Sequence, residues 1–268
     1  MKNITVWKKK INNKDFIFNK ASIQHANVVI TDPCNIYDGD TDEKIIHYSK
    51  LSADELKNTV CNLEYNSSQR TQGIVAQSRV FGFSPRHSIR NNFCSTAKFS
   101  IENAQQNSVI CNFATAVQAI YAVEFNEIFN SHLNVINQDI LPQWRIDNTV
   151  FTSGIINKNS SINYHCDAGN YAGYRSCMVN FRHNISGGLL VIPQYDIAFC
   201  LQDSSVIIFD GATILHGVSE VIPLSDDYFR HSVVYYSLKG LKHCLNTQHE
   251  VQNAQSFYTK VSIRKATL

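Results

Sequence analysis

His165-Cys-Asp167, His216 and Arg230 are the residues whose types and spacing can do chemistry together. On an extended strand alternate side chains share a face, so His165 and Asp167 point one way and Cys166 the other. With 10 histidines in 268 residues an H-x-D triplet arises readily by chance, and by itself it means little. It gains meaning from His216, in Asp210-Gly-Ala-Thr-Ile-Leu-His216, and from Arg230-His-Ser232 fourteen residues further on. Two imidazoles and one carboxylate make the facial triad of non-haem Fe(II) oxygenases, which leaves three adjacent coordination positions open. Two suit the keto oxygen and a carboxylate of 2-oxoglutarate, and the third suits O2. A guanidinium offers a fork of donors that matches the far carboxylate of such a cosubstrate. Arg230 fits that role, with the Ser232 hydroxyl on the same strand face.

Elements able to hold this set are legible around it. The chain is 44% hydrophobic and 17% charged, enough to bury a sizeable core without disulfides. Beyond Pro142, short β-type runs recur at about 8 to 12 residue intervals: residues 150–157, 177–181, 189–192, 196–200, 205–209 and 231–236. With turn signals at Gly187-Gly188 and Asp210-Gly211, this spacing predicts a sandwich or jelly-roll barrel. The first half adds strands at residues 27–31 and 44–48, separated by a turn-rich stretch at 37–42. A capping box at residues 52–55 opens a short helix, and a longer helix spans about 113–133. The fold class is therefore mainly β with flanking helices, around a double-stranded β-helix (jelly-roll) core. No repeat or linker divides the chain, so residues 1–268 are expected as a single domain.

The net charge of +2 excludes nothing, but its distribution is uneven. Residues 1–20 hold six lysines against Asp15, a basic N-terminal arm. Residues 65–101 contain no Asp or Glu, while Arg70, Arg79, Arg86, Arg90 and Lys98 add positive charge. Such regions suit a polyanion, because Lys and Arg that neutralise phosphates gain from counterion release; a solvated tail and ion pairs to acidic surface fit equally. The eight cysteines form no C-x-x-C pair and read as reduced, mostly buried thiols. No apolar run reaches the roughly 20 residues of a membrane span, and no apolar segment follows the first lysines as in a secretory signal. The expectation is an intracellular protein, cytoplasmic or nuclear, neither secreted nor membrane-bound, with no protein partner indicated.

The ordered ligand set resembles the Fe(II)/2-oxoglutarate dioxygenases. The surrounding segments, Ser78-Arg-Val-Phe-Gly-Phe-Ser-Pro-Arg86, Tyr164-His-Cys-Asp-Ala-Gly-Asn170, Gly187-Gly-Leu-Leu-Val-Ile-Pro-Gln-Tyr195 and Leu215-His-Gly-Val218, are similar to the TET/JBP family of DNA 5-methylpyrimidine oxygenases. The resemblance runs from about residue 70 to 237. It implies that His165, Asp167 and His216 hold Fe(II), that Arg230 and Ser232 bind 2-oxoglutarate, and that O2 is the second cosubstrate. It also implies that Asn170 hydrogen-bonds a flipped base and Tyr236 stacks on it, although a turn role for Asn170 and core packing for Tyr236 stay open. Leu238 stands where the family often has a base-contacting histidine. Arg70, Arg79, Arg86 and Arg90 are candidates for DNA phosphates. The implied reaction is hydroxylation of a 5-methylpyrimidine in DNA, 5-methylcytosine ahead of thymine. The same chemistry on a nucleoside, RNA, peptide or small metabolite is the first competing reading, and a jelly-roll binding module without turnover is the second.

Overall fold

The computed structural model describes residues 1–65, 67–69, 75–87 and 92–266. The chain begins with β1 (Lys2–Val6), β2 (Val28–Ile30), β3 (Cys34–Asp38) and β4 (Lys44–Lys50). The stretch expected as a turn at residues 37–42 begins in strand: β3 runs through Asp38, and the turn closes when Asp38 Oδ1 accepts the Asp40 N–H. In α1 (Asp54–Cys61) the N-cap is Ala53 and no side chain caps the helix, so the expected capping box does not form. Asp54 and Glu55 instead set negative charge against the positive end of the helix dipole.

Next come β5 (Ser67–Gln69), β6 (Val75–Ser84), β7 (Ser95–Thr96), α2 (Lys98–Glu102), α3 (Ala104–Glu124) and α4 (Asn126–Asp139). The helix expected over 113–133 is thus two helices, broken at Phe125. At the break the Phe125 ring lies 5.2 Å from the Lys44 ammonium and 4.8 Å from the Arg175 guanidinium.

The second half holds β8 (Ser153–Lys158), β9 (Ile162–His165), β10 (Ser176–His183), β11 (Ile185–Gly187), β12 (Leu190–Ile192), β13 (Ile197–Phe199), β14 (Ser205–Phe209), β15 (His216–Val218), β16 (Val221–Pro223), β17 (Phe229–Tyr236) and the terminal α5 (Thr247–Ala266). The larger sheet is ordered β1-β3-β4-β14-β10-β17-β8-β6-β5, with β7 on β6, and the smaller one β2-β13-β12-β15-β9. Together they form the expected double-stranded β-helix, with helices against one side.

Alternation along the central strands separates two cores. Cys177, Val179, Phe181, Val206, Ile208, Val233 and Tyr235 face α1 and α3, where Leu56, Val60, Ile110, Val117 and Tyr121 meet them. Met178, Ile207 and Phe209 face inward, toward Leu190, Ile192, Ile197 and Phe199 of the smaller sheet. The outer side of that sheet is covered by the N-terminal segment, with Tyr164, Val191, Ala198 and Leu215 packed on Ala21, Phe16 and Ile17. The basic first twenty residues are therefore built into the fold. β1 pairs parallel with β3, and the Lys9 and Phe18 N–H groups donate to Gln194 O (2.7 Å) and Tyr164 O (2.9 Å).

The cysteines depart from expectation at one pair. Cys94 and Cys244, 150 residues apart and both buried, are disulfide-bonded, while Cys34, Cys61, Cys111, Cys166, Cys177 and Cys200 are free thiols. Sequence spacing carries no trace of a pairing made only when the segment entering α5 folds against the loop before β7. Among the described residues, no helix is long and apolar enough to cross a membrane.

Two histidines in the packed interior make stability sensitive to acid. Burial pushes His132 down to about 3; burial, then Lys158 and Arg230, push His231 down to about 4. Both stay neutral in the folded chain, while the unfolded chain takes up protons near pH 6.5. Their stabilising effect is complete above that pH and is lost as pH falls toward 4. The slope approaches about 1.4 kcal/mol per pH unit for each histidine. Urea denaturation at pH 7.5 and 5.5 is expected to show the drop, and His132→Phe should remove part of it.

Candidate active site

β9 ends on His165 and β15 begins on His216, and the two residues are paired across the smaller sheet. Their rings lie 4.4 Å apart at 50°. Asp167, just beyond β9, is fixed by its backbone N–H, which donates to Gly211 O (2.8 Å). Its Oδ1 stands 3.5 Å from His165 Nε2, and one ligand atom from each of the three residues lies within 4.8 Å of the others. Cys166 points to the opposite side of the sheet, packed with the cluster around Tyr164, as alternation requires.

Both imidazoles are set by the same device. His165 Nδ1–H donates to Asn163 O and His216 Nδ1–H to Ile214 O, each at 2.8 Å. With the proton on Nδ1, the lone pair of each ring is on Nε2, toward the cluster. Burial, reinforced by the neighbouring His165, pushes His216 down to about 4, so its ring is neutral as a metal ligand must be. The turn leading to His216 is clasped by Asp210: Oδ1 accepts the Ala212 N–H, and Oδ2 accepts the Thr213 hydroxyl and the Gly173 N–H. Gln194 Oε1 accepts the Leu215 N–H from the other side (2.8 Å). Two imidazoles and a carboxylate, converging with both Nδ1 atoms bonded to backbone carbonyls, fit Fe(II).

A cavity of about 170 Å³ opens beside the triad, between the two sheets. Its walls are largely apolar, including Ile155, Met178, Phe209 and Val234, with Asn157 and Ser232 as polar points. Arg230 lies two residues before Ser232 on the same face of β17 and is 1% exposed. Its Nε–H donates to Gly188 O (3.0 Å), while Nη2 has no partner. A buried guanidinium N–H left in this state costs stability unless an anion reaches it. Arg182, opposite Arg230 in the β10–β17 pairing, adds a second positive charge; burial first, then this neighbour, push Arg230 down to about 10. The environment disfavours the cation and awaits a carboxylate, which is what 2-oxoglutarate carries. Gly188 makes the approach possible: its φ is +62°, and a Cβ there would lie 2.8 Å from Arg230 Cδ.

The other expected contacts divide. Tyr236 lines the cavity on the face it shares with Ser232. Asn170 is buried, and its Nδ2 donates to Ser176 Oγ (3.3 Å) on the cavity wall, while its backbone bridges to Leu238. Arg79 is spent on Glu64 O through Nε and Nη2. Arg86 pairs with the buried Glu250 (2.6 Å), which also accepts the Cys94 and Leu245 N–H groups. Neither arginine reaches the cavity; Arg70 and Arg90 lie outside the described residues.

Sequence reasoning passed over Gly211, reading Asp210-Gly211 only as a turn. A Cβ at Gly211 would stand 2.6 Å from Asp167 Oδ2 and 3.6 Å from His216 Cε1. Gly211→Ala is therefore expected to displace the carboxylate and weaken iron binding about 10- to 100-fold, the range for residues that support a ligand. Anaerobic Fe(II) titration checks this, with an unchanged thermal midpoint showing that the fold persists.

Comparison with known proteins follows this geometry. Residues 82–239 match the Tet/JBP model, described as the oxygenase domain of the 2OGFeDO superfamily. Over 129 residues, 48% of this chain, the sequence is 30% identical to the bifunctional helicase and thymine dioxygenase JBP2 of Trypanosoma brucei brucei. The chain spans only 12% of that relative's length. The fold is similar to NgTET1 in complex with 5mC DNA, with a TM-score of 0.55 and 13% identity, over 84% of this chain and 90% of that one. A 2OG-Fe(II) oxygenase family oxidoreductase from Burkholderia pseudomallei aligns with a TM-score of 0.41 and 15% identity, over 72% of this chain and 85% of that one.

Proposed function

The chain belongs to the Tet/JBP oxygenase-domain family of the 2OGFeDO superfamily, and from that premise we propose that it hydroxylates the methyl group of a 5-methylpyrimidine in DNA. The observation that carries the chemistry is the convergence of His165, Asp167 and His216 beside a largely apolar cavity lined by Ser232, with Arg230 and its unpartnered Nη2 two residues earlier on the same strand. The named relatives support the substrate: one is a thymine dioxygenase and the other was captured on 5mC DNA.

Fe(II) held by His165, Asp167 and His216 would, with 2-oxoglutarate and O2, supply the power to oxidise a methyl C–H, one oxygen atom going into the methyl group and the other into succinate, with CO2 released. The protein does the rest. Arg230 holds the distal carboxylate of the cosubstrate, and the Ser232 hydroxyl adds a hydrogen bond on the same face. The backbone carbonyls of Asn163 and Ile214 keep the ligand rings from turning. Apolar walls at Met178, Phe209 and Val234 strengthen each polar contact by excluding water. A 5-methyl carbon reaches such a cavity only when its nucleotide leaves the stack. Tyr236 then provides a face to stack on, and Asn170, steadied by Ser176, an amide for the base edge.

The test is to load the protein anaerobically with Fe(II) and 2-oxoglutarate, admit O2, and supply methylated duplex beside unmethylated duplex. Digested nucleosides are read by mass spectrometry. Conversion of 5-methylcytosine or of thymine to its hydroxymethyl product is expected, and the product names the base. Succinate accumulating with both bases unchanged would overturn the DNA reading and leave the oxygenase chemistry standing.

A further inference from the structure

Among the described residues, Phe18 is the one bulky apolar residue with a left-handed backbone, φ 72°, and its side chain is 60% exposed. The other non-glycine residues with positive φ are Asp, Asn or Ser, whose short polar side chains tolerate that region better. Strain of this kind persists only where the surroundings hold it, and it concentrates at functional surfaces. Here the hold is explicit. Phe18 N–H donates to Tyr164 O, Phe18 O accepts Asn163 Nδ2 (2.6 Å), and Asn19 O accepts the Tyr164 N–H (3.0 Å). The Phe18 backbone is thereby fixed alongside β9, bonded to the residue that precedes His165. A second tether runs from Asn13 Oδ1 through the Gln194 amide to the Leu215 N–H, the residue that precedes His216.

The same segment is cationic. Lys9 pairs with Asp196 (2.7 Å), but Lys8, Lys10, Lys14 and Lys20 are exposed and in no ion pair among the described residues. Trp7, 63% exposed, precedes Lys8, Lys9 and Lys10. Unpaired lysines interleaved with exposed aromatic rings on a rigid support are the composition that binds nucleic acid, phosphates on the ammonium groups and bases on the rings.

We propose that residues 7–20 form a second DNA-contact surface, with Lys8, Lys10, Lys14 and Lys20 on backbone phosphates and the exposed Phe18 ring against the same DNA. This rests on DNA being the substrate. It also assigns the phosphate contacts to this segment rather than to Arg79 and Arg86, whose guanidinium groups already have protein partners.

The test is fluorescence anisotropy of the full chain with a short labelled duplex carrying 5-methylcytosine, at several KCl concentrations. Replacing Lys8, Lys10, Lys14 and Lys20 together with alanine should weaken binding at least tenfold at low salt. It should also reduce the slope of log K against log salt by up to about 3.6, since each phosphate contact contributes about 0.9. Phe18→Gly should lower affinity about fivefold or more while leaving the thermal midpoint unchanged or raised, because glycine adopts φ 72° without strain. A lysine variant with wild-type affinity and slope, or a Phe18→Gly protein with a lower midpoint and unchanged affinity, would overturn the surface. If those variants match a wild type that binds and oxidises DNA, only this inference falls. If the wild type neither binds nor oxidises DNA, the substrate reading falls and this surface with it.

Discussion

Asp167→Ala is expected to lose more than about 100-fold in turnover, beyond the upper end for residues that merely support a metal ligand. The substitution removes the only anion of the triad and leaves two neutral imidazoles to hold a divalent cation. The fold should survive, because the side chain is about one-third exposed and the bond that places the loop is made by the backbone, from Asp167 N–H to Gly211 O. His216→Ala should match it in turnover but differ in stability, since that ring is buried and packed edge-on against Phe209 at 5.0 Å. Succinate formation and Fe(II) titration read the loss, and thermal unfolding reads the fold. Full iron-dependent turnover by Asp167→Ala would remove the triad from the mechanism.

Arg230→Met should separate two properties that usually fall together. Cosubstrate binding should weaken by about 100-fold or more, because removing one partner of a buried ion pair costs about 3–5 kcal/mol. The unliganded protein should become more stable, since Nη2 has no partner and the charge is held against burial and against Arg182. The sign follows from the depressed value of about 10: at neutral pH the guanidinium is charged in both states, and only the folded interior disfavours that charge. Thermal unfolding with and without 2-oxoglutarate measures both effects. At 100 times its dissociation constant the ligand should stabilise the wild type by about 2.7 kcal/mol and leave the variant almost unmoved. Arg230→Lys should recover little, because an ammonium lacks the planar fork. An unchanged KM for 2-oxoglutarate in Arg230→Met would locate the anchor elsewhere.

The candidate ligand set was legible in the sequence because metal chemistry restricts residue types and strand geometry restricts spacing. His165 and Asp167 share a face by alternation, and so do Arg230, Ser232 and Tyr236; neither relation depends on distant contacts. The inner strands were legible too, since residues 177–181 and 205–209 are apolar runs buried on both faces. β15 was not, because three residues carry no period, and it is a strand only through its neighbours β12 and β9.

What tertiary structure alone decided are the relations between segments far apart in the chain. The break at Phe125 falls where no helix-breaking residue stands, and cations from β4 and from the residue before β10 lie over the ring there. The Cys94–Cys244 bond spans 150 residues, and Arg86 turned inward because Glu250 of α5 arrived beside it. Gly211 matters because Asp167 presses against it, and the basic first twenty residues became a fixed surface because Tyr164 and Gln194 hold them. Local pattern reports the preferences of a few neighbouring residues, whereas these contacts exist only after sheets and helices have closed on one another. The sequence by itself determined which residue types and spacings could hold iron and a carboxylate; the closure of the barrel decided that His165, Asp167 and His216 meet beside one cavity.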